Sequence, residues 1–550
     1  MKMLLLPIRG SAWKRVLLMM VLSALGLSVS ACGGGNGAGG PVVVGDPEPG
    51  GTAVVLVNSD FQVFNPVVNT ALITGEVINY FLFTPLVQFD AELNVVPALA
   101  ESWDLDENGV TFHLRDDVRW HDGEAVTSDD VLFTFELAKS PETASLLESA
   151  YLTMIRSAQV MDPYTIRFEF VAPHSRPLEG FWWAPLPRHL LRDVPPAQMI
   201  QAPYNRRPVG NGPFRFVSWS PNEQLIVEAN NDYPEALGGR PYLDRVVFRI
   251  VPEATTRLTE TLTGAVDINY TVLPDEAARV EAAQGVKLVH YPGREFLYIG
   301  WNGEREPFTD PRVRMALTMG INREGLIDAL LYGYGQPATG MIPPWSPLAP
   351  SIEPVPWDPA AARALLAEAG WAPGPDGILM KGGRRLAFTM ISSEDRLRQD
   401  LAVVIQRQLR EIGVAVSVRA LEFQSFLRQH RSRDYDSVIS GWALDSFRVD
   451  PTPLFSCEEA RTPESANRAG YCNPDADRLI AAGLREMNEG RAVEIWGEFS
   501  SILQRDQPIT FLVWREQLQA VNNRIQGVEM DARGNFVTAH NWWIPASMRR

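Results

Sequence analysis

The stretch LAFTMISSEDRLRQDLAVVIQRQLREIGVAVSV (residues 386–418) decides the fold. Its first six residues, 386–391, form a short apolar run that predicts a β-strand. Gly413 is placed to end a helix, and the valines at alternate positions of 414–418 predict a second strand. A strand, a helix and a strand in this order predict a parallel pair with a right-handed crossover. The helix is predicted over 394–412 because its apolar residues recur at i, i+4, i+7 and i+8: Leu397, Leu401, Val404, Ile405, Leu409 and Ile412.

Strands predominate on the N-terminal side of this unit. Asn108-Gly109 is typical of a hairpin turn, and the residues on both sides of it, 103–105 and 110–114, alternate between apolar and polar. After about residue 300 the pattern becomes helical. The fold class predicted from these patterns is α/β with mixed sheets. The same alternation recurs at Ile166, Phe168, Phe170, Phe214, Phe216, Val246, Phe248 and Ile250.

The N-terminus has the pattern of an export signal. Four basic residues precede an uncharged apolar stretch, 16–29, whose length fits a signal peptide better than a membrane span. The stretch ends in Val29-Ser30-Ala31-Cys32 before a run of glycines, and it resembles the lipobox of bacterial lipoproteins. We therefore expect a signal peptide at 1–31, lipidation of Cys32 and a flexible tether over 32–51. The alternative is an ordinary secretory signal with an accidental cysteine.

An exported protein meets an oxidising compartment, and this bears on the two remaining cysteines. Cys457 and Cys472 lie 15 positions apart among loop-forming residues, so we expect them to form a disulfide rather than a metal site. The expected location is outside the cytoplasm, attached by lipid to the cell membrane. In an organism with an outer membrane this is the periplasmic side.

Composition and motifs exclude several classes of function. Fifty basic residues against 66 acidic ones give a net charge of −16, whereas a nucleic-acid binder needs a basic surface. Asp104-x-Asp106-x-Asn108-Gly109 begins like a calcium loop, but its twelfth position is Arg115 instead of a carboxylate. Gly210-Asn211-Gly212-Pro213 favours a tight turn over a dinucleotide loop. We expect no catalytic constellation, no metal site and no cofactor.

A set of short motifs in a fixed order carries a specific resemblance. Together they resemble the family 5 extracytoplasmic solute-binding proteins, the dipeptide- and oligopeptide-binding components of ABC importers. The resemblance covers about residues 52–530. Its main pieces are Leu99-Ala100-Glu101-Ser102-Trp103, Phe112-His113-Leu114-Arg115, Trp120-His121-Asp122-Gly123, Pro208-Val209-Gly210-Asn211-Gly212-Pro213-Phe214, Arg312-Val313-Arg314, Ile321-Asn322-Arg323, Asp358-Pro359 with Ala369-Gly370, and Gly470-Tyr471.

The resemblance implies a two-lobed periplasmic-binding-protein-like fold of the large class C type, with a hinged ligand cleft. Lobe I would comprise residues 52–300, with a strand-rich subdomain, lobe II residues 301–515, and the C-terminal 516–550 would return to lobe I. The crossings between lobes are expected near 297–302 and 511–519. A monomer would capture a peptide or a related small solute, close around it and deliver it to the permease subunits of an ABC importer.

The resemblance also points to Gly441-Trp442-Ala443-Leu444-Asp445 as the ligand-binding stretch. In peptide-binding relatives the aspartate pairs with the ligand's α-ammonium and the tryptophan lines a side-chain pocket, with Gly441 and Ala443 beside them. A charge-assisted pair would anchor and orient a peptide terminus. Alternatively, Trp442 packs in the core and Asp445 caps a turn.

One departure from the family pattern follows this stretch. Relatives often place an acidic-Pro pair shortly after the aspartate, whereas here Asp450-Pro451 comes later, so the loop is expected to be longer. Arg448, inside that loop, could meet a peptide carboxylate, but we expect it to be solvated.

Two other functions stay open. Relatives of the same fold bind oligosaccharides, metal chelates or haem, and 15 tryptophans would suit a sugar-stacking cleft. A function of another class is a lipid-anchored cell-envelope hydrolase that uses paired carboxylates. The aspartate in the ligand-binding stretch favours a ligand that carries an amine.

Overall fold

The computed structural model describes residues 45–444 and 446–550. Its N-terminal part contains β1 Thr52–Val57, α1 Leu72–Val77, β2 Val87–Phe89, β3 Val95–Pro97, β4 Ala100–Asp106, β5 Gly109–Leu114, α2 Ser128–Lys139, β6 Ile155–Asp162, β7 Thr165–Phe170, α3 Arg188–Leu191, β8 Phe214–Ser220, β9 Gln224–Ala229, β10 Arg245–Ile250, α4 Ala254–Leu262, β11 Ile268–Asn269 and α5 Ala277–Glu281. Its C-terminal part contains β12 Val286–Trp301, α6 Pro311–Met319, α7 Arg323–Leu330, β13 Gly335–Pro337, α8 Pro359–Glu368, β14 Ala372–Pro373, β15 Leu379–Lys381, β16 Arg384–Arg385, β17 Ala387–Ser393, α9 Arg396–Glu411, β18 Ala415–Leu421, α10 Phe423–Arg431, β19 Ser437–Ala443, α11 Thr452–Phe455, α12 Cys457–Arg461, α13 Pro474–Gly483, α14 Glu489–Asp506 and β20 Ile509–Asn522. Short 3-10 and π helices lie between them, among them Ile78–Leu82.

The strand–helix–strand unit that the sequence predicts is confirmed. Strands β17 and β18 are parallel, and α9 connects them. The helix begins at Arg396, two residues later than predicted. The reason is that the Asp395 carboxylate accepts a hydrogen bond from the backbone N–H of Arg398 at 2.9 Å and so caps the first turn. Beyond the helix Gly413 has φ +84°, which a glycine adopts without strain. The apolar face is buried at Leu401, Ile405, Leu409 and Ile412.

The predicted hairpin at Asn108-Gly109 is confirmed as well. Strands β4 and β5 pair in antiparallel register down to Asp106 opposite Gly109. They form a separate sheet with the order β4-β5-β7-β6. Residues 210–213, where a tight turn is predicted, form a bend that leads directly into β8, and the N–H groups of Asn211 and Gly212 donate to the carbonyl of Leu82. Residues 104–109 form the end of the β4–β5 hairpin, with Asp106 opposite Gly109.

The largest sheet is mixed, as predicted. Its order is β18-β17-β19-β12-β20-β11-β1-β10-β9-β8, and β13 pairs with β20. Parallel pairs join β1 to β10 and β17 to β18, whereas β12 is antiparallel to both β19 and β20. The sheet thus runs without interruption from the N-terminal strands to the strand–helix–strand unit.

Two long strands, β12 and β20, join the parts of this sheet. Their pairing shifts between Pro292, which lies opposite Glu516, and Phe296, which lies opposite Trp514. Three residues of β12, 293–295, therefore face a single residue of β20. Such a β-bulge bends a strand and changes the direction of its side chains.

Several separate apolar clusters flank the sheet. The first core contains Phe81, Phe112, Phe168, Phe248 and Trp542 and draws on residues 53–291 and 521–544 together with Phe447. The second core packs α6 to α9 on one face of β12, and the third core packs α13 and α14 on its other face. Alternate residues of β12 contribute to these two cores, because successive side chains of a strand point to opposite faces.

A buried ion pair links β1, the residue before β11 and the C-terminal residues. The Asp267 carboxylate accepts hydrogen bonds from the Arg524 guanidinium, at 2.7 Å from Nη2, and from the backbone N–H of Val54 at 2.8 Å. Arg524 also donates to the carbonyls of Thr52 and Met548 at 3.1 Å each. Asp267 and Arg524 are only 2% and 8% exposed, so water cannot replace either partner.

A disulfide joins Cys457 and Cys472, with an S–S distance of 2.02 Å. In the part of the chain that the structure describes, no helix is long and apolar enough to cross a membrane. The predicted signal peptide and Cys32 lie outside the described residues, as does most of the predicted tether.

Candidate ligand-binding site

The predicted ligand-binding stretch lies at the end of β19, beside the bulge in β12. Gly441-Trp442-Ala443 pairs in antiparallel register with residues 295–297 of β12. The backbone N–H of Leu444 then donates to the carbonyl of Arg294, inside the bulge, at 2.9 Å. Asp445 lies outside the described residues, so its expected contact with an ammonium stays a prediction.

Gly441 lies against a cluster of three charges. The Glu295 carboxylate accepts from Arg515 Nη1 at 2.9 Å and lies 3.4 Å from Arg398 Nη2. A side chain at position 441 would collide with this carboxylate. Two arginines against one glutamate leave a net positive charge next to the predicted site. The three residues come from three elements distant in sequence, so no local sequence pattern could have revealed them.

Trp442 is half-buried and packs against the third core, while Ala443 is exposed. The packing agrees with the alternative that the sequence left open for the tryptophan, namely a place in the core. Part of the Trp442 side chain stays exposed, near the end of the strand that leads to Asp445. Whether it contacts a ligand stays a prediction.

The loop that follows crosses to the first core. Phe447 is buried there, with its ring centroid 4.7 Å from that of Phe89, 5.3 Å from Trp182 and 5.9 Å from Trp345. The Arg294 guanidinium lies 5.5 Å from the centre of the Phe447 ring, within range of a cation–π interaction. The loop therefore connects the third core, against which Trp442 packs, with the first core, which contains Phe447.

Arg448 corrects an expectation, because it is buried rather than solvated. Its guanidinium donates to the carbonyl of Ala150 and to Nε2 of His174, each at 3.3 Å. Burial, reinforced by this arginine, lowers the pKa of His174 to about 4, so the imidazole is neutral at pH 7. With Nε2 accepting, Nδ1 carries the proton and donates to the carbonyl of Ser175 at 2.6 Å. The sequence suggested exposure because arginine is rarely buried.

Glu76, in α1, carries a buried carboxyl group and lies near Arg294. Asn535 donates to both oxygens of Glu76 at 3.1 Å and accepts from the Tyr291 hydroxyl at 2.9 Å. Burial raises the pKa of Glu76 to about 7, and the nearby Arg294 offsets part of that rise. The other ionisable groups near it are the hydroxyls of Tyr80, Tyr270 and Tyr291. Sequence reasoning missed Glu76, although it is the only charged residue between Asp60 and Asp90.

We expect Glu76 to make stability fall as the pH rises towards 8. The pKa of Glu76 in the folded state lies above that in the unfolded state. Its contribution to the free energy of unfolding is therefore complete below about pH 4.5 and is lost as the pH rises from there to about 7. Glu76→Gln should therefore be more stable than wild type at pH 8, by about 1–3 kcal/mol, and gain nothing at pH 5. Urea unfolding at both pH values measures the difference, with the exposed Glu107→Gln as control. A difference that is the same at pH 5 and pH 8 would contradict the assignment.

Comparisons with known proteins agree with this architecture. Residues 94–460 match the family model of bacterial extracellular solute-binding proteins, family 5, middle part. The chain is 30% identical over 549 residues to the oligopeptide-binding protein AppA of Bacillus subtilis, covering 96% of this chain and 98% of that protein. It is 28% identical to the di/tripeptide-binding protein 3 of Pseudomonas aeruginosa, covering 84% and 89%.

Solved structures give the same result. The structure of Bacillus subtilis AppA in complex with a nonapeptide has a TM-score of 0.77 and 29% identity, covering 91% of this chain and all of that one. DppA of Helicobacter pylori, in complex with the peptide STSA, has a TM-score of 0.74 at 24% identity, covering 91% and 99%, and supports the fold alone. The fold is therefore the two-lobed, mixed α/β fold of periplasmic binding proteins. The chain belongs to the bacterial extracellular solute-binding proteins of family 5, which are binding proteins and not enzymes.

Proposed function

We propose that this chain captures peptides outside the cytoplasm and delivers them, as a monomer, to the permease of an ABC importer. The observation that carries the proposal is the match over nearly the whole chain to an oligopeptide-binding protein, at 30% identity. The related structure that holds a nonapeptide supports the same class of ligand.

The lobes move about the strands that connect them in this proposal. Lobe I comprises 52–300 with the C-terminal 516–550, and lobe II comprises 301–515. The bulge at 293–295 of β12 lies a few residues before this boundary and supports a bend in this part of the strand, since a bulge interrupts the ladder of hydrogen bonds. Ligand contacts with both lobes would then favour the closed state, which the permease recognises.

The ligand is held next to Gly441-Trp442-Ala443 in this proposal. Asp445 takes the α-ammonium of the peptide. The net positive charge of the cluster formed by Glu295, Arg398 and Arg515 suits a carboxylate of the same ligand. Opposite charges at two points of one site would orient a peptide.

Native mass spectrometry of the purified protein, followed by calorimetry with the peptides it retains, tests this function. We expect co-purified peptides and binding without turnover. Retention of sugars, metal chelates or haem instead would move the ligand to another class within the same fold. Hydrolysis of a peptide or glycoside by the purified chain would contradict a pure binding role.

Lipid anchoring of Cys32 belongs to the same proposal, supported by the sequence around it. We expect Cys32→Ser to move the protein from the membrane to the soluble fraction of the cell envelope, because the lipid on Cys32 is the anchor in this proposal. Asn36→Ser, a comparable change in the tether, is the control and should stay at the membrane. A Cys32→Ser variant that resists a carbonate wash would show that another element anchors the chain.

A further inference from the structure

Arg294 lies inside the bulge of β12, next to the predicted ligand-binding stretch. Its carbonyl accepts from the N–H of Leu444 at 2.9 Å, so its backbone is fixed to the residue directly before Asp445. Its side chain is half-buried, and the guanidinium lies 5.5 Å from the centre of the Phe447 ring. Such a contact uses the charge of the guanidinium and leaves its N–H groups available as hydrogen-bond donors.

The groups on which the charge of Arg294 acts are buried. The guanidinium offsets part of the effect of burial on the pKa of four of them: Glu76, Tyr80, Tyr270 and Tyr291. Among the described residues, however, none accepts a hydrogen bond from the Arg294 side chain, and Glu76 is held by Asn535 instead. A guanidinium close to buried groups and without an acceptor is unfavourable, so a ligand that supplies an acceptor gains affinity.

The other two arginines of this region already contact a carboxylate. Arg515 donates to Glu295 at 2.9 Å, and Arg398 lies 3.4 Å from the same residue. Their net positive charge attracts an anion to the region, but an anion in direct contact would compete with Glu295 for their N–H groups. Arg294 has no such competitor in contact among the described residues, so it is the arginine best placed to bind an anion directly.

On the basis of the proposed peptide capture, we infer that Arg294 binds a carboxylate of the ligand and that Glu76 weakens this contact when it is ionised. A carboxylate suits Arg294 because two N–H groups of one guanidinium can donate to both of its oxygens. The carboxylate is either the C-terminal group of a short peptide or an acidic side chain close to the N-terminus of a longer one. Both positions are compatible with an α-ammonium at Asp445, since Arg294 is bonded to Leu444 directly before it.

Glu76 makes the contact depend on pH. Burial raises the pKa of its carboxyl to about 7, so the group is largely neutral at pH 5 and largely ionised at pH 8. An ionised Glu76 repels a carboxylate at Arg294, whereas a neutral one does not. The other ionisable groups around Glu76 add no net charge, because burial raises the pKa of the three tyrosines and Asp531 pairs with Arg533. The contact is therefore expected to be strongest below pH 7.

Calorimetry with ligand-stripped protein at pH 5 tests the role of Arg294 and identifies the source of the carboxylate. One arm compares trialanine with its C-terminal amide, and the other compares C-terminally amidated nonapeptides with aspartate or asparagine at the second position. We expect wild type to bind the carboxylate form at least about tenfold more tightly in one arm. Arg294→Met should lose this preference, because both forms then bind without the guanidinium.

Two further variants complete this experiment. Arg294→Lys keeps the charge without the paired N–H groups and should retain part of the preference. Arg396→Met removes an arginine whose side chain is 91% exposed, and this matched control should retain the full preference for the carboxylate form.

Glu76→Gln tests the effect of pH with the same carboxylate ligand. The affinity of this variant relative to wild type should rise at least about threefold between pH 5 and pH 8, because only wild type acquires the repelling charge. The uncharged form of the ligand should show no such rise. Since both proteins are compared at the same pH, titration of the ligand itself cancels.

Equal affinity of wild type for the carboxylate and uncharged forms in both arms would overturn the inference while peptide capture stands. An Arg294→Met variant that keeps the preference would do the same. A relative affinity of Glu76→Gln that stays constant from pH 5 to pH 8 would overturn the role of Glu76. Absence of binding by every peptide form would overturn the proposed function itself, and the inference with it.

Discussion

Asp445→Asn is expected to weaken peptide binding by about a hundredfold or more. The aspartate is proposed to pair with the ligand's α-ammonium in a closed cleft, where water cannot replace the lost charge. Removal of one partner of a buried charge pair typically costs about 3–5 kcal/mol, and each 1.4 kcal/mol corresponds to a factor of about ten in affinity. Isothermal titration calorimetry of both proteins with the same peptide measures the change.

N-acetylated peptides and a distant carboxylate provide the controls for this experiment. Acetylation removes the ammonium, so acetylated peptides should bind wild type as weakly as free peptides bind Asp445→Asn. Asp193→Asn removes the same charge from a side chain that is 95% exposed and should leave binding unchanged. Equal affinity for free and acetylated peptides, with no effect of Asp445→Asn, would rule out the ammonium contact.

Asp267→Ala is expected to lower the free energy of unfolding by about 3–5 kcal/mol, because it leaves the Arg524 guanidinium buried without its partner. It also deprives the N–H of Val54 in β1 of its acceptor. The urea unfolding midpoint measures the loss. The double variant Asp267→Ala/Arg524→Met should lose less than the sum of the two single changes, since no unpaired charge remains.

An exposed pair of the same type serves as control. Asp106 lies 2.9 Å from Arg167, but its side chain is 52% exposed, so Asp106→Ala should change stability far less than Asp267→Ala. Similar losses for Asp106→Ala and Asp267→Ala would show that burial does not govern the strength of these pairs.

The sequence predicted those parts of the fold whose signal is local. The strand–helix–strand unit of 386–418 has its helical periodicity and its terminal glycine within one stretch, and only the cap at Asp395 moved its boundary. The hairpin at Asn108-Gly109 has an equally short-range signal. Propensity and periodicity suffice where neighbours in sequence are also neighbours in space.

The site was less predictable because its parts meet through tertiary structure. Glu295, Arg398 and Arg515 converge beside Gly441 from three distant elements. Residue type was misleading for Arg448, since an arginine in a polar loop is usually exposed. Glu76 is different, because an isolated charge within a long uncharged segment is a signal that can be read from sequence alone.

The bulge in β12 lies beside the predicted ligand-binding stretch and close to the proposed boundary between the lobes. Position 294 holds the start of the loop after β19 and faces Phe447, position 295 pairs with the arginines next to Gly441, and position 293 accepts a hydrogen bond from Trp345 at 3.0 Å. Because one continuous sheet runs through this point, the proposed closure of the lobes would be a bend across the bulge. Solutes of different size and sequence would then produce a similar final angle. A permease that recognises only this angle would accept them all.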